Sequence, residues 1–252
     1  MIEHHTPVVS TATESCIVVD DFLPQAAFEE VFRFCNAADY TMVHSAKVQK
    51  VWRLHDGLPL RGESFHYRTS GNAANDARGY PTGTPLDHFV DALLASMDRV
   101  EQMVGRPVRD WQEVTIAPWV YPAGSGLSLH QDTGRSGPGR SFTGSYTYYV
   151  NSQWNLHWGG WLLVFAPHGG ARPSLPAQPS VSPPWLSDAL EAPLVRESSI
   201  ATAILPAPNR IVFISPRAPH LITRVDQNAG SHARVSLAGF FHRDEELAGA
   251  RP

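Results

Sequence analysis

The stretch "GLSLHQD" places a histidine and an aspartate, His130 and Asp132, two positions apart in a run that otherwise reads as sheet. Side chains at that spacing leave a strand on one face. There an imidazole and a carboxylate can share a metal ion or form a polar pair on a sheet rim. Twelve histidines in 252 residues make such a pair a weak signal by itself. A third group strengthens it. In "PNRIVFISPRAPHLITRV", His220 opens a β-rich run after a proline-rich turn. Two imidazoles and one carboxylate leave up to three positions open on an octahedral Fe(II) ion. A ligand set without thiolate is less suited to structural zinc.

Fourteen residues past His220 stands Arg234, inside "ARVSLAGFF". An arginine alternating with apolar residues in a buried strand needs an anionic partner. A ligand carboxylate matches the guanidinium fork; one of the chain's own acids is the alternative. Arg224, four residues after His220, is the rival anchor.

Together these residues resemble the Fe(II)- and 2-oxoglutarate-dependent dioxygenases, in the prolyl 4-hydroxylase-like branch. The matching text is "YPAGSGLSLHQD", "YYVNSQWNLHWGGWLLVF", "PAPNRIVFISPRAPHLITRV" and "RVSLAGFF", in that order, with "VVDDFLP" near the start. The resemblance implies a double-stranded β-helix, or jelly-roll, with N-terminal helices packed on one sheet. It implies that His130, Asp132 and His220 bind iron and that Arg234 binds the distal carboxylate of 2-oxoglutarate. Tyr149, Tyr121 and Ser236 match positions that touch the same co-substrate in related members. With O2, such a site hydroxylates an unactivated C–H bond and releases succinate and CO2. Related halogenases lack the carboxylate, so Asp132 favours hydroxylation. Two features depart from the branch's pattern: Trp161 follows the Gly-Gly, and the interval from His220 to Arg234 is longer than usual.

The elements that must carry these groups are legible in outline. After Trp111 the chain becomes a series of short β-rich runs split by Gly, Pro, Asn and Ser, the pattern of a sandwich or barrel. Before it lie two helical patterns. "QAAFEEVFRFCNAADY" follows Pro24, and "PLDHFVDALLASMDRVEQMVG" ends at Gly105 and Pro107. "KVQKVWRLHDG" reads as a strand, and 58–84 as a long loop. The fold class is thus mainly β with helices (α+β). One domain spans 1–252: support and active-site loop over 1–110, and the β-helix core over 111–245. A Pro-rich insertion at 167–193 extends from the sheet edge.

The bulk composition sets limits. An apolar fraction of 42% and a charged fraction of 17% are ordinary for a globular chain able to bury a core. A net charge of −4 gives no reason to expect a nucleic-acid or anionic-membrane partner. Cys16 and Cys35 have no paired spacing and read as reduced, buried thiols. No signal peptide or spanning segment is visible, so the expected location is cytoplasmic.

The expected partner is a small-molecule substrate, an amino acid or specialised metabolite. A peptidyl proline is the alternative within the same chemistry. A jelly-roll metal protein that does not use 2-oxoglutarate, whether a binding protein or a cupin-like enzyme, is the alternative outside it. Candidate substrate contacts are Arg135 and Arg140, just after the ligand pair, and an aromatic wall at Trp158. His157, His168 and His242 read as surface histidines.

Overall fold

The computed structural model describes residues 5–43, 54–68, 80–96, 113–132, 135–137, 140–167, 198–216 and 218–244. Strands β1 (Val8–Ala12) and β2 (Cys16–Asp20) lead into helix α1 (Gln25–Ala37). Three short strands follow: β3 (Thr41–Met42), β4 (Leu60–Arg61) and β5 (Phe65–Arg68). Helix α2 (Leu86–Ala95) precedes β6 (Glu113–Tyr121), β7 (Leu127–His130), β8 (Arg135–Gly137) and β9 (Arg140–Tyr149). Next come β10 (Leu162–Pro167), β11 (Ser198–Ile204), β12 (Ile211–Ile214), β13 (His220–Ile222) and β14 (Arg234–Asp244).

The strands form two antiparallel sheets. The larger runs β1-β2-β12-β9-β14-β6-β4-β3, with β5 also paired to β6 and β8 to β9. The smaller runs β11-β10-β13-β7. This is the double-stranded β-helix expected from the sequence.

Alternation along the strands explains why the large sheet has two different faces. Ile17 and Val19 of β2, Tyr146 and Tyr148 of β9, and Ile211 and Phe213 of β12 share one apolar cluster with the helices. Phe28, Val31 and Cys35 of α1 and Leu86, Phe89 and Leu93 of α2 complete it. The alternate residues, Val18, Tyr149, Val212 and Ile214, point the other way. They pack with Leu162, Val164 and Ile222 of the small sheet. One face therefore anchors the helices, and the other encloses the site.

Asn209 ties the segment before α1 to the large sheet. Its backbone is left-handed, with φ 57°. Its Oδ1 accepts from the Leu23 amide at 2.9 Å and the Tyr148 hydroxyl at 2.8 Å, and its Nδ2 donates to the Leu23 carbonyl at 2.7 Å. Asn209→Ala leaves all three buried groups without that partner. It should destabilise the fold by about 3 kcal/mol, since each orphaned buried group costs roughly 1–3 kcal/mol. Urea denaturation checks this; a loss below about 1 kcal/mol would show that these groups find other partners.

Several local expectations change. Leu54–Asp56, the end of the expected strand, is a 3-10 turn, and 44–53 lie outside the described residues. The expected loop at 58–84 contains β4 and β5, strands too short to show a period. The insertion expected at 167–193 falls, beyond Pro167, outside the described residues, as does the second helix beyond residue 96. Both cysteines are free and buried, and burial pushes the Cys35 thiol up to about 12. Among the described residues no helix is long and apolar enough to cross a membrane.

Candidate active site

His130 is the last residue of β7 and His220 the first of β13, and the two are directly paired across the small sheet. Asp132 lies just past the end of β7. Its approach to the histidines therefore comes from the turn, not from regular strand alternation. Asp132 Oδ1 is 3.6 Å from His130 Nε2, and Oδ2 is 3.4 Å from His220 Nε2. One ligand atom from each of the three residues lies within 4.8 Å of the others, a grouping that could hold a metal ion.

The backbone sets which nitrogens face the group. His130 Nδ1 lies 2.8 Å from the Ser128 carbonyl, and His220 Nδ1 lies 2.9 Å from the Ala218 carbonyl. A carbonyl can only accept, so each Nδ1 carries the hydrogen and each Nε2 keeps its lone pair toward Asp132. Hydrogen bonds of this kind fix the tautomer and ring orientation of metal-binding histidines. Ser128 is held in turn, because its hydroxyl donates to Asp56 Oδ1 at 2.6 Å.

Arg234 opens β14 opposite Tyr121 of β6. Its side chain is fully buried, at 0% exposure. The guanidinium lies 5.0 Å from the Tyr121 ring centroid and 4.9 Å from that of Tyr149. Its Nη1 donates to Ser236 Oγ at 3.3 Å. Among the described residues no carboxylate forms an ion pair with it, and its Nε and Nη2 have no hydrogen-bond partner. The buried Tyr149 hydroxyl also has none. Burial pushes the Tyr149 phenol upward against the pull of Arg234, so it stays protonated and able to donate. A buried cation with orphaned donors is costly unless an anion meets it. Gly160 packs against this side chain: a Cβ there would lie 3.2 Å from Arg234 Cδ, at a φ of 65° that glycine favours.

Arg234, Tyr121, His130, Asp132 and His220 line one cavity of about 380 Å³ between the sheets. Tyr149 borders it through its contact with Arg234, and Ser236 lies one row along, paired with Tyr149. Arg224 is outside the lining and exposed, and it donates to the His55 carbonyl. The side chains of Arg135 and Arg140 lie outside the described residues. Trp158 is not among the lining residues. It stacks on His232 at 4.3 Å, edge-on to Trp154. Trp119 supplies an aromatic wall instead.

His242, expected at the surface, is buried and lines the cavity. The signal was available, since position 242 shares the parity of Arg234 along one strand. His66, hydrogen-bonded to the buried Glu113 at 2.9 Å, lines it too. Nothing in the sequence marks that pair, whose partners are 47 residues apart.

Residues 117–242, half of the chain, match the model of the 2OG-Fe(II) oxygenase superfamily. The chain belongs to that superfamily. The oxygenase is a 2-oxoglutarate-dependent non-haem Fe(II) dioxygenase, and it uses Fe(II), 2-oxoglutarate and O2. Its fold is shared by a Pseudomonas putida prolyl-4-hydroxylase, 17% identical with a TM-score of 0.52, covering 92% of this chain and 94% of that one. A Trichoplax adhaerens prolyl hydroxylase, solved in complex with a hypoxia inducible factor oxygen degradation domain peptide fragment, is 15% identical with a TM-score of 0.53. There the coverage is 95% of this chain and 89% of the other. A 2OG-Fe(II) oxygenase family oxidoreductase from Burkholderia pseudomallei is 14% identical with a TM-score of 0.52, covering 91% and 85%. No curated protein matches the chain.

Proposed function

We propose that His130, Asp132 and His220 hold the Fe(II), and that Arg234 receives the distal carboxylate of 2-oxoglutarate. Tyr149 donates a second hydrogen bond to that carboxylate, Tyr121 covers the guanidinium, and Ser236 orients it. The observation that carries this reading is the fully buried Arg234, with orphaned Nε and Nη2 donors, in one cavity with the three ligands. An anionic ligand resolves what is otherwise an uncompensated charge.

Bound Fe(II) with 2-oxoglutarate and O2 supplies the oxidising chemistry, which yields succinate, CO2 and an oxygenated substrate. The chain's own residues do the rest. The Nδ1 hydrogen bonds hold both imidazoles with Nε2 lone pairs facing the metal. Asp132 provides the negative charge of the set. Val164, Val212 and Ile222 belong to the apolar cluster between the sheets, with Val164 paired to His220 and Ile222 lining the cavity.

The substrate is a small molecule, an amino acid or specialised metabolite, hydroxylated at an unactivated C–H by a single-domain cytoplasmic enzyme. A 380 Å³ cavity shared with the co-substrate supports a compact ligand. Arg135 and Arg140, close in sequence to Asp132, are proposed as further contacts. Succinate release tests this when free amino acids and proline-containing peptides are offered side by side. Stimulation by a free amino acid, with a product 16 mass units heavier by the added oxygen atom, is expected. Stimulation by peptides alone would replace this substrate class with a peptidyl one.

A further inference from the structure

The inward face of the large sheet is arranged in rows. Arg234 and Tyr121 form one. Arg61, Trp119, Ser236 and Tyr149 are aligned across β4, β6, β14 and β9 in the next. Ala117, Ala238 and Thr147 form a third, with small side chains. Beyond it lie His66 and Thr115, then Phe240 paired with Ser145.

Arg61 stands on the next-to-last strand of the sheet path, so it occupies an edge of the cavity it lines. Its guanidinium carbon is 5.3 Å from the Trp119 ring centroid, and its Nη2 donates to Ser64 Oγ. Among the described residues no carboxylate pairs with it. Stacking covers one face of the guanidinium but leaves its N–H edge able to bind an anion in plane. Arg61 is exposed where it lines the cavity, and partial desolvation lowers its pKa. Arg234 already has a carboxylate to meet in the proposed reading; Arg61 has none.

On the far side of the small-residue row from Arg61, the Ser145 hydroxyl is buried at 4% exposure and faces the cavity without a hydrogen-bond partner. Phe142 and Phe240, 4.8 Å apart between ring centroids, flank this end with apolar surface. The cavity thus offers a cation at its edge, low relief in the middle, and a hydroxyl between rings at the far end.

We propose that Arg61 binds the carboxylate of a free amino or imino acid substrate, whose body lies along Ala117 and Ala238. This rests on the reading of the site given above and specifies its substrate class. A single guanidinium suits one carboxylate, and the short row suits a compact body.

The test uses the full chain with Fe(II) and 2-oxoglutarate under anaerobic conditions. Calorimetric titrations compare the twenty free amino acids with their carboxamides, in wild type, Arg61→Gln and Arg61→Lys. At least one acid should bind, with its amide at least ~10-fold weaker. Arg61→Gln should weaken the acid by a similar factor, and Arg61→Lys by less. The affinity for 2-oxoglutarate should not change. Amides binding as tightly as acids, an unaffected Arg61→Gln, or no acid binding at all would overturn the assignment. Weaker 2-oxoglutarate binding in Arg61→Gln would overturn it too, by making Arg61 a co-substrate contact. Failure of wild type to bind 2-oxoglutarate would instead remove the underlying reading, a different result visible in the same titrations.

Discussion

Asp132→Ala should abolish succinate formation while the chain stays folded. The aspartate is the sole carboxylate in the three-residue group and lies within 3.6 Å of both imidazole Nε2 atoms. Its removal leaves two neutral ligands and no negative charge to balance a divalent ion. Outer partners of metal ligands are worth about 10–100-fold in affinity or activity, so losing a ligand itself should leave less than roughly 1% of turnover. Stability should be little changed, because the substitution removes a buried carboxylate and strands no backbone group. Far-ultraviolet circular dichroism and a thermal melt confirm folding, and succinate assay at saturating Fe(II) reads the loss. Undiminished turnover would remove Asp132 from the ligand set.

The second large effect is expected at Arg234. Arg234→Ala should raise the 2-oxoglutarate requirement on the order of 100-fold, about 3 kcal/mol, the range for truncating one partner of a buried charge pair. Two donors, Nε and Nη2, are unfilled in the described protein, and both would be lost to the co-substrate. Arg234→Lys should recover only part of the affinity, since an ammonium lacks the planar fork. Succinate formed as a function of 2-oxoglutarate concentration measures both. Wild-type affinity in the alanine variant would show that another group anchors the co-substrate. Arg224 is a poor substitute, being exposed and outside the cavity lining.

The sequence carried the large-scale plan because that plan rests on period. Alternation in "SYTYYVN" and "RIVFIS" matches the observed division between a helix-facing and a cavity-facing side. Helical spacing in "FEEVFRFC" matches the buried face of α1, where Phe28, Val31 and Cys35 are inside. The four site groups were legible because each broke its local pattern with a polar or charged residue. Short or absent periods leave the remaining elements unmarked in the sequence. β4 and β5 are two and four residues long, so Arg61 and His66 fell into an apparent loop. The 3-10 turn that brings Asp56 under Ser128 depends on contacts 72 residues apart, which no local pattern encodes. His242 is legible only through its parity with Arg234 along β14, not from its immediate neighbours.

In the proposed function the histidine–aspartate group and Arg234 act on one ligand pair, Fe(II) and 2-oxoglutarate. The most direct measurement is the visible spectrum of the anaerobic protein after adding both. A weak charge-transfer band should develop in wild type and should need far more 2-oxoglutarate in Arg234→Ala. Folded, metal-loaded protein that gives no such band at any 2-oxoglutarate concentration would show that the two groups do not share this ligand pair.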